Sequence, residues 1–552
     1  MQQEMTNGQR KSGKGLNVFL FVCAAASVVG MILYVMLFSK WTYHSDCAGY
    51  MFLAQEQLAQ GKLFPEGFHY TTEIFALSPN LTMIPWLKLF TNRYLIHELG
   101  TICYALICIA FIWCLFWDNK RSAALATMLF VIPYSYTYRD MMFFQGAYLF
   151  GNLAVLWSLI AVKWLFRLKR ETKPVLKVAA WSVFAAVMLL INWYSIRNYL
   201  QITLPLLGAL LVLILVRRGG RVIEWLDEPK ILIIAAFTVV LAFISLNIYS
   251  SLCASIGFDN GTTVRGGLVG AGDIIPNIQK AIANILALYG VCDTSSLFSI
   301  QTICVCAILA YLFISFIVMP IMLVKNFKKI EDPFAQLLSA FAFIETFLTL
   351  FMMVFCNYNI DRYFLPVHFT QLLLYAWFAV ELVKKRKATF GYWPITLTLC
   401  LAVLVNGSYF KAIPEYWYNQ PLSQMIMHPA IENDLEEFFD EHDLDYGYAT
   451  FWHAYQNMAM INDKVTIVAY DQGSPTTPYF FDDNDRQNPN YYAISEKYYD
   501  VEAHPGRCFV LVYPGETIPD AYYELANETI VRDDFTCLIY DYNIHLYPEL
   551  TK

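Results

Sequence analysis

An aspartate that follows the first apolar segment of the chain could act as a base. Asp46 lies in Trp41-Thr42-Tyr43-His44-Ser45-Asp46-Cys47-Ala48-Gly49-Tyr50, just after an apolar run near 16–38. A carboxylate at the end of a membrane helix could accept the proton of a hydroxyl group that reacts at the membrane surface. The alternative is that Asp46 and Ser45 cap the amphipathic helix predicted over 48–60, because their side-chain oxygens could accept hydrogen bonds from its first backbone N–H groups.

Arginines in the outer segments are candidates for binding a phosphate. They are Arg139, Arg197, Arg265 and Arg362, each in a different segment. A guanidinium group holds phosphate oxygens through paired N–H donors. The alternative is that each arginine extends from a helix end toward water at the membrane interface.

Other polar residues of the same segments could complete a substrate pocket. His44, His69 and Tyr70 could line it. Glu73 and Asp140 are candidates for a second acid, or else ordinary loop carboxylates and ion-pair partners.

The composition predicts a polytopic α-helical membrane protein. Of 552 residues 57% are apolar and 16% aromatic, and the mean hydropathy is +0.43. This apolar fraction exceeds the roughly 45–50% of soluble domains. Eleven apolar runs are long enough to cross a bilayer, near 16–38, 99–117, 122–138, 145–166, 175–191, 198–216, 231–250, 300–324, 334–355, 364–383 and 393–410. Glu345 lies mid-span in the ninth run, where we expect it to form an interhelical hydrogen bond.

Charge predicts the orientation, because short loops rich in Lys and Arg stay in the cytoplasm. With the N-terminus inside, the inner segments hold 21 of these cations and the outer segments up to residue 410 hold nine. An odd number of spans then places the C-terminal region outside the cytoplasm.

Residues 411–552 predict a separate acidic domain, after a membrane domain over 1–410. They contain 7 Lys and Arg against 25 Asp and Glu, a net charge of −18. A helix is predicted over 431–441, and strands over 446–451, 465–469, 508–513 and 537–542, which together indicate a small α/β domain. The acidity makes a nucleic-acid partner unexpected, because binding to nucleic-acid phosphates requires clustered Lys and Arg.

The cysteines give no metal motif. No metal-ligand spacing such as Cys-x-x-Cys occurs. No cofactor is expected to be required, and a divalent cation is compatible with the sequence but not indicated. Cys508 with Cys537 and Cys253 with Cys292 could each form a disulfide on the outer side, and buried free thiols are the alternative.

Three sequence stretches carry a family resemblance. The first runs from Trp41 through Ser45-Asp46 and Gly49-Tyr50 to Ala54, Gly61, Glu73-Ile74, Ser78-Pro79 and Pro85. The second is Asp361-Arg362-Tyr363-Phe364-Leu365-Pro366, and the third is Tyr446-Gly447-Tyr448-Ala449-Thr450-Phe451-Trp452. Together they resemble the GT-C glycosyltransferases, in particular the branch with the protein O-mannosyltransferases and the bacterial aminoarabinose transferase of lipid A.

The resemblance implies an activity. The chain would transfer one sugar, with inversion, from a polyprenyl-phosphate donor to a glycan, lipid or protein acceptor at the outer face of a bacterial plasma membrane. Asp46 would be the general base, because it matches the acid of the first loop. Many relatives have a second acid directly after it, where this chain has Cys47, so a mechanism that needs a carboxylate pair is not expected here.

Two alternatives are compatible with the same residues. A transporter or flippase of lipid-linked sugars would use the same cations to hold a phosphate without breaking a bond. A non-catalytic cell-envelope protein would use the outer domain for binding alone. Asp46 distinguishes the enzyme from the flippase, because only the enzyme needs a base.

Overall fold

A computed structural model of the chain describes residues 2–39, 43–71, 73–218, 227–258, 267–291, 299–356, 358–385, 392–417, 430–469 and 491–546. The chain divides into two compact units. The helical unit comprises Met1–Tyr34, Ala105–Phe143 and Ala147–Tyr418. The sheet unit comprises Val35–Tyr104, Phe144–Gly146 and Asn419–Lys552. The first loop thus groups with the C-terminal residues, whereas the domains predicted over 1–410 and 411–552 remain a prediction.

Helices dominate both units. The α-helices are Gln2–Phe38, Ser45–Gln60, Asn80–Leu87, Arg93–Leu115, Lys120–Phe130, Tyr136–Arg139, Leu149–Arg167, Pro174–Tyr194, Leu204–Arg218, Asp227–Ser255, Ile274–Leu288, Ile300–Phe313, Met319–Asn326, Pro333–Phe355, Leu365–Lys385, Trp393–Trp417, Ala430–Glu441, Phe451–Met460 and Asp520–Leu525. Single π-helical turns at Asp140–Phe144, Tyr199–Thr203 and Ile314–Val318 adjoin them.

Nine helices in the described part of the chain are long and apolar enough to cross a membrane. They are Gly15–Phe38, Arg93–Leu115, Leu149–Arg167, Pro174–Tyr194, Tyr199–Val216, Pro229–Ser255, Ile300–Lys329, Pro333–Phe355 and Asp361–Val383. Trp393–Gly407 is a shorter apolar helix. These helices confirm the prediction of a polytopic integral membrane protein.

The span predicted over 122–138 is wrong as a single helix. The helix Lys120–Phe130 has 11 residues, about 16 Å at 1.5 Å per residue, which is half of a hydrocarbon core. Residues 122–130 are buried and pack against Leu365–Lys385. A buried core helix and a membrane span have the same continuous apolar pattern, so the sequence could not separate them.

Ion pairs and hydrogen bonds join several helix ends of the helical unit. The Asp118 carboxylate forms ion pairs with Lys163 Nζ at 2.8 Å and Arg167 Nη2 at 2.6 Å. Lys230 Nζ donates a hydrogen bond to the carbonyl of Leu168 at 2.8 Å. The Lys163 and Arg167 contacts hold the pKa of the Asp118 carboxyl below its usual value although burial opposes this. Because the Asp118 and Lys163 side chains are in contact, the chain between residues 118 and 163 starts and ends at the same end of the helical unit.

Glu345 forms the interhelical contact that its mid-span position predicts. Its carboxylate accepts a hydrogen bond from the Thr370 hydroxyl of the helix Leu365–Lys385. Both residues are fully buried. The prediction is confirmed.

The sheet unit contains a five-stranded mixed sheet. Its strands are β2 (Tyr446–Ala449), β3 (Thr466–Ala469), β5 (Cys508–Val512), β6 (Glu528–Val531) and β7 (Thr536–Tyr540), in the order β3-β2-β5-β7-β6. Strand β2 runs parallel to β3 and β5, and β7 runs antiparallel to β5 and β6. The four strands predicted for this region are confirmed, as is the helix Ala430–Glu441. The sequence pattern missed β6, whose residues are mostly exposed.

The first-loop helix, Ser45–Gln60, packs on residues of the C-terminal region within the sheet unit. Phe52 contacts the rings of Tyr455 and Tyr498 at 5.8 and 5.9 Å. A Cβ atom on Gly49 would lie 2.5 Å from that of Ala493, so only glycine permits this approach. The short strands β1 (Phe68–His69) and β4 (Ile494–Ser495) pair antiparallel beside this contact.

Cys508 and Cys537 are free, buried thiols on neighbouring strands. Cys508 lies opposite Tyr540, and Cys537 lies opposite Leu511, so the two cysteines are not in register. Burial raises the pKa of the Cys508 thiol to about 12, although a backbone hydrogen bond opposes this. The alternative of buried thiols is confirmed for this pair, and Cys292 of the other pair lies outside the described residues.

Candidate functional site

Asp46 lies in the first turn of the first-loop helix. Its Oδ2 is 4.0 Å from Nδ1 of His44, and 16% of its side chain is exposed. A negative charge in the first turn interacts favourably with the helix dipole. The structure therefore places a half-buried carboxylate beside an imidazole.

Neither Ser45 nor Asp46 lies at the N-cap position of this helix. His44 occupies the N-cap position and makes no side-chain capping bond, while Ser45 and Asp46 are already inside the helix. The Ser45 hydroxyl donates to the carbonyl of Phe451 and accepts from the backbone N–H of Gln456 at 3.2 Å. Ser45 thus fastens the first-loop helix to the C-terminal region, which a sequence pattern of local caps could not show.

Arg197 and Arg362 meet at one aromatic ring in the helical unit. The guanidinium carbons lie 5.7 and 6.0 Å from the ring centroid of Tyr363. Both arginines are half-buried. Contact with a ring engages the guanidinium as a cation, whereas its N–H donors lie in the guanidinium plane, where two of them can pair with two oxygens of a phosphate.

Arg139 belongs to the same region of the helical unit. The helix Tyr136–Arg139 adjoins the 3₁₀ turn Asp361–Phe364, because the Thr137 hydroxyl donates to Asp361 Oδ2 at 2.6 Å. The other oxygen of Asp361 accepts from the backbone N–H of Arg362 at 2.7 Å. We call Arg139, Arg197 and Arg362, with Tyr363 and Asp361, the arginine cluster.

Arg139 is held by its own helix and by the first span. Its Nη1 donates to the Tyr34 hydroxyl, and its Nε donates to the carbonyl of Ser135 at 3.0 Å. The guanidinium also lies 5.9 Å from the ring centroid of Tyr136. Its orientation is therefore fixed, as a binding site requires.

His69, Tyr70 and Glu73 occupy different environments in the sheet unit. His69 stacks on Tyr491 at 4.5 Å, and its Nε2 lies 3.6 Å from Glu496. Tyr70 packs with Phe75 and is buried, and this burial raises the pKa of its hydroxyl. Glu73 is half-buried in the loop after β1. Their substrate-binding roles remain predictions.

Asp140 and Arg265 are the remaining candidate residues. Asp140 is buried at the first position of a π-helical turn, directly after Arg139. Arg265 lies outside the described residues.

The structure adds polar residues that the sequence analysis did not single out. They include Tyr34, Tyr363 and Asp361 in the helical unit, and Trp452, His453 and Glu516 in the sheet unit. Asp361, Tyr363 and Trp452 lie within motifs that carry the family resemblance, but they were not candidates for the site. Nothing in the sequence pairs His453 with Glu516, which are 63 residues apart.

Solved structures of ArnT from Cupriavidus metallidurans are similar to this chain. The structure bound to undecaprenyl phosphate matches with a TM-score of 0.52 and 12% identity, over 93% of this chain and 97% of that chain. The apo structure matches with a TM-score of 0.53 and 11% identity, over 98% and 99%. No protein-family model and no curated protein matches the sequence.

This likeness extends over nearly the whole chain and defines the fold. The chain is an integral membrane protein whose fold is similar to that of ArnT. At 11 to 12% identity the likeness concerns the fold alone.

Proposed function

We propose that this protein transfers one sugar from a polyprenyl-phosphate donor to an acceptor at the outer face of the membrane. The GT-C-like fold supports a transferase of this class, and one of the similar ArnT structures holds undecaprenyl phosphate. The observation that carries the proposal is the arginine cluster. Arg197 and Arg362 come from different connecting segments of the helical unit and contact the same Tyr363 ring.

The arginine cluster supplies what the departing group needs. As the bond between the sugar and the lipid phosphate breaks, the phosphate oxygen takes the bonding electron pair and gains negative charge. Fixed guanidinium groups stabilise such charge where it develops. The contacts of Arg139 and Arg362 with Tyr34, Ser135 and Asp361 fix these two segments before substrate binds.

Asp46 is the proposed general base. The acceptor hydroxyl oxygen attacks the anomeric carbon, and Asp46 removes the hydroxyl proton as the new glycosidic bond forms. His44, 4.0 Å away, would position the carboxylate. A flippase would need the arginines but not this base.

In the proposed orientation, the N-terminus and the helix ends joined by the Asp118 and Lys230 contacts lie on the cytoplasmic side of a bacterial plasma membrane. Those ends carry Arg121, Lys163, Arg167 and Lys230, and Arg121 also donates to Asn17 of the first span at 2.6 Å. A membrane-impermeant thiol reagent on intact cells should label Glu524→Cys but not Lys169→Cys, compared with the unsubstituted chain. Labelling of Lys169→Cys alone would contradict this orientation.

Binding of the carrier lipid phosphate tests the arginine cluster. Native mass spectrometry of the purified chain should show undecaprenyl phosphate bound more strongly than undecaprenol, which lacks the phosphate. Arg362→Ala should weaken phosphate-lipid binding by roughly 1.5–3 kcal/mol, because a hydrogen bond to a charged group is lost. Arg362→Lys should restore only part, because an ammonium group lacks the planar fork.

Asp361→Ala is the matched control, because Asp361 contacts Thr137 and the backbone of Arg362. It should change binding less than Arg362→Ala does. Equal binding of undecaprenol and undecaprenyl phosphate, or full binding by both arginine variants, would contradict the phosphate site.

A further inference from the structure

His453 and Glu516 of the sheet unit form a fixed pair that has no role in the proposed function. His453 Nδ1 lies 2.9 Å from Glu516 Oε1, and the Thr450 hydroxyl donates to the same oxygen. The backbone N–H of Tyr513 donates to Glu516 Oε2 at 2.8 Å. Thr450 is fully buried and the Glu516 side chain is 5% exposed, whereas the His453 side chain is 31% exposed.

A second contact, with the face of the ring, also fixes the orientation of His453. It stacks on the Tyr513 ring at 3.7 Å with an interplanar angle of 5°, and Asn457 Nδ2 donates to the Tyr513 hydroxyl at 2.5 Å. Because Nδ1 faces the carboxylate, Nε2 on the other side of the ring faces away from it. A histidine held in this way presents one defined polar atom to a ligand.

Glu516 stays ionised in this position. Burial favours its neutral form, but the hydrogen bonds from His453, Thr450 and Tyr513 outweigh burial and lower the pKa of the carboxyl. An ionised carboxylate selects the imidazole with its proton on Nδ1. In the tautomer with its proton on Nδ1, the Nε2 atom can accept a hydrogen bond.

The topology of the sheet places this pair where ligands bind in open parallel sheets. After β2 the chain forms the helix Phe451–Met460 and enters β3 on one side of β2. The chain leaves β5, on the other side of β2, toward β6 and β7. The carboxyl ends of β2 and β5 therefore form a topological switch point, the usual position of a ligand crevice. Thr450 and His453 follow β2, and Tyr513 and Glu516 follow β5.

An exposed tryptophan adjoins the pair. Trp452 precedes His453 and is 42% exposed. Its ring lies edge-to-face with His44 at 6.0 Å, and His44 lies beside Asp46. The switch point is therefore connected, within the sheet unit, to the end of the first-loop helix that carries the proposed base.

The charge of the region restricts the ligand. Residues 411–552 have a net charge of −18, which disfavours an anionic ligand. A neutral sugar offers hydroxyl groups that donate to an imidazole nitrogen and an apolar ring face that packs on an indole ring. We propose that His453 and Trp452 bind a neutral sugar of the acceptor, with Glu516 as the positioning residue. This inference rests on the proposed function, and it assigns a glycan-bearing acceptor.

A glycan array probed with the detergent-purified full chain tests the site. The wild-type chain should retain neutral oligosaccharides, and His453→Ala and Trp452→Ala should each lose about tenfold in affinity, which corresponds to 1.4 kcal/mol. Trp452→Ala removes an exposed side chain, so it remains informative if His453→Ala fails to fold. His442→Ala is the matched control, because His442 is half-buried in the same unit and packs on Phe438. This control should bind as the wild type does.

Binding of the carrier lipid phosphate separates this inference from the proposed function. Undecaprenyl phosphate binding should stay unchanged in His453→Ala, Trp452→Ala and Glu516→Gln. Glu516→Gln should raise the KM for the acceptor by a smaller factor than His453→Ala, without changing the KM for the donor.

Two outcomes of the glycan array would overturn the acceptor site. Retention of neutral oligosaccharides at wild-type affinity by both His453→Ala and Trp452→Ala would overturn the acceptor site. So would wild-type protein that retains only acidic glycans or none at all. If the wild-type protein does not bind undecaprenyl phosphate, the proposed phosphate site at the arginine cluster is overturned instead.

Discussion

The two ends of the first-loop helix carry acids in opposite situations. Asp46, at the start, is partly exposed and lies beside His44. Glu56, near the end, is 3% exposed and forms an ion pair with Lys497, and it also accepts from Gln60 at 3.2 Å. Glu56 is engaged in holding the C-terminal region of the sheet unit to the helix.

The difference shows how one helix combines attachment with chemistry. A carboxylate that is buried and held by neighbouring side chains cannot come within hydrogen-bond distance of a substrate hydroxyl. A base must reach the solvent or the substrate to exchange its proton. Burial and pairing, rather than residue type, therefore divide the two roles along the helix.

The largest effect is expected at the start of the helix. Asp46→Asn keeps the size of the side chain and removes its basicity, so turnover should fall by about 10² or more, the range for acid–base groups. Binding of undecaprenyl phosphate and thermal stability should stay near wild type. The measurement is sugar transfer by purified protein from a panel of polyprenyl-phosphate sugars.

The result also distinguishes the enzyme from a flippase. A wild-type chain that produces free polyprenyl phosphate is a transferase, whereas a flippase leaves the donor intact. Transfer by Asp46→Asn at the wild-type rate would refute Asp46 as the base and remove the contrast between the two ends of the helix.

The opposite pattern is expected at the end of the helix. Lys497→Ala leaves the Glu56 carboxylate buried without its cation, so the free energy of unfolding should fall by about 1–3 kcal/mol. Turnover per folded molecule should not change. Thermal unfolding in detergent measures the effect, and Lys464→Ala is the control, because the Glu436 partner of Lys464 is more exposed than Glu56.

A loss of turnover without a loss of stability in Lys497→Ala would show that Glu56 takes part in the reaction. The effect of Lys464→Ala should stay below about 1 kcal/mol, as for exposed ion pairs.

Local patterns in the sequence predicted much of this fold. Length and hydropathy predicted the membrane helices, and alternating or β-branched runs predicted β2, β3, β5 and β7. The helix Lys120–Phe130 was misjudged, because a buried helix and a span present the same apolar surface pattern. The strand β6 was missed, because its residues are mostly exposed and lack the pattern of a half-buried strand.

Contacts between distant segments were beyond the sequence. Ser45 was expected to cap a helix, but its hydroxyl bonds to Phe451, 406 residues away. Arginines were predicted one by one, and only the fold brings Arg197 and Arg362 to the same ring. Such contacts depend on how segments pack, which no local periodicity encodes.

The smallest effect concerns a third carboxylate, Glu516, which is buried like Glu56 but paired with a histidine. The pKa of Glu516 is lower in the folded chain than its ordinary value of 4.5, because hydrogen bonds outweigh burial. A lowered folded-state pKa means that this group stabilises the fold above the unfolded pKa, and that this contribution disappears as the pH falls through the folded pKa. Glu516→Gln should therefore cost about 0.5–1.5 kcal/mol near pH 7, and the difference from wild type should shrink below about pH 4.5. Unfolding followed from pH 7 to pH 3.5 measures this, and a constant difference across that range would mean that Glu516 contributes through packing and not through its charge.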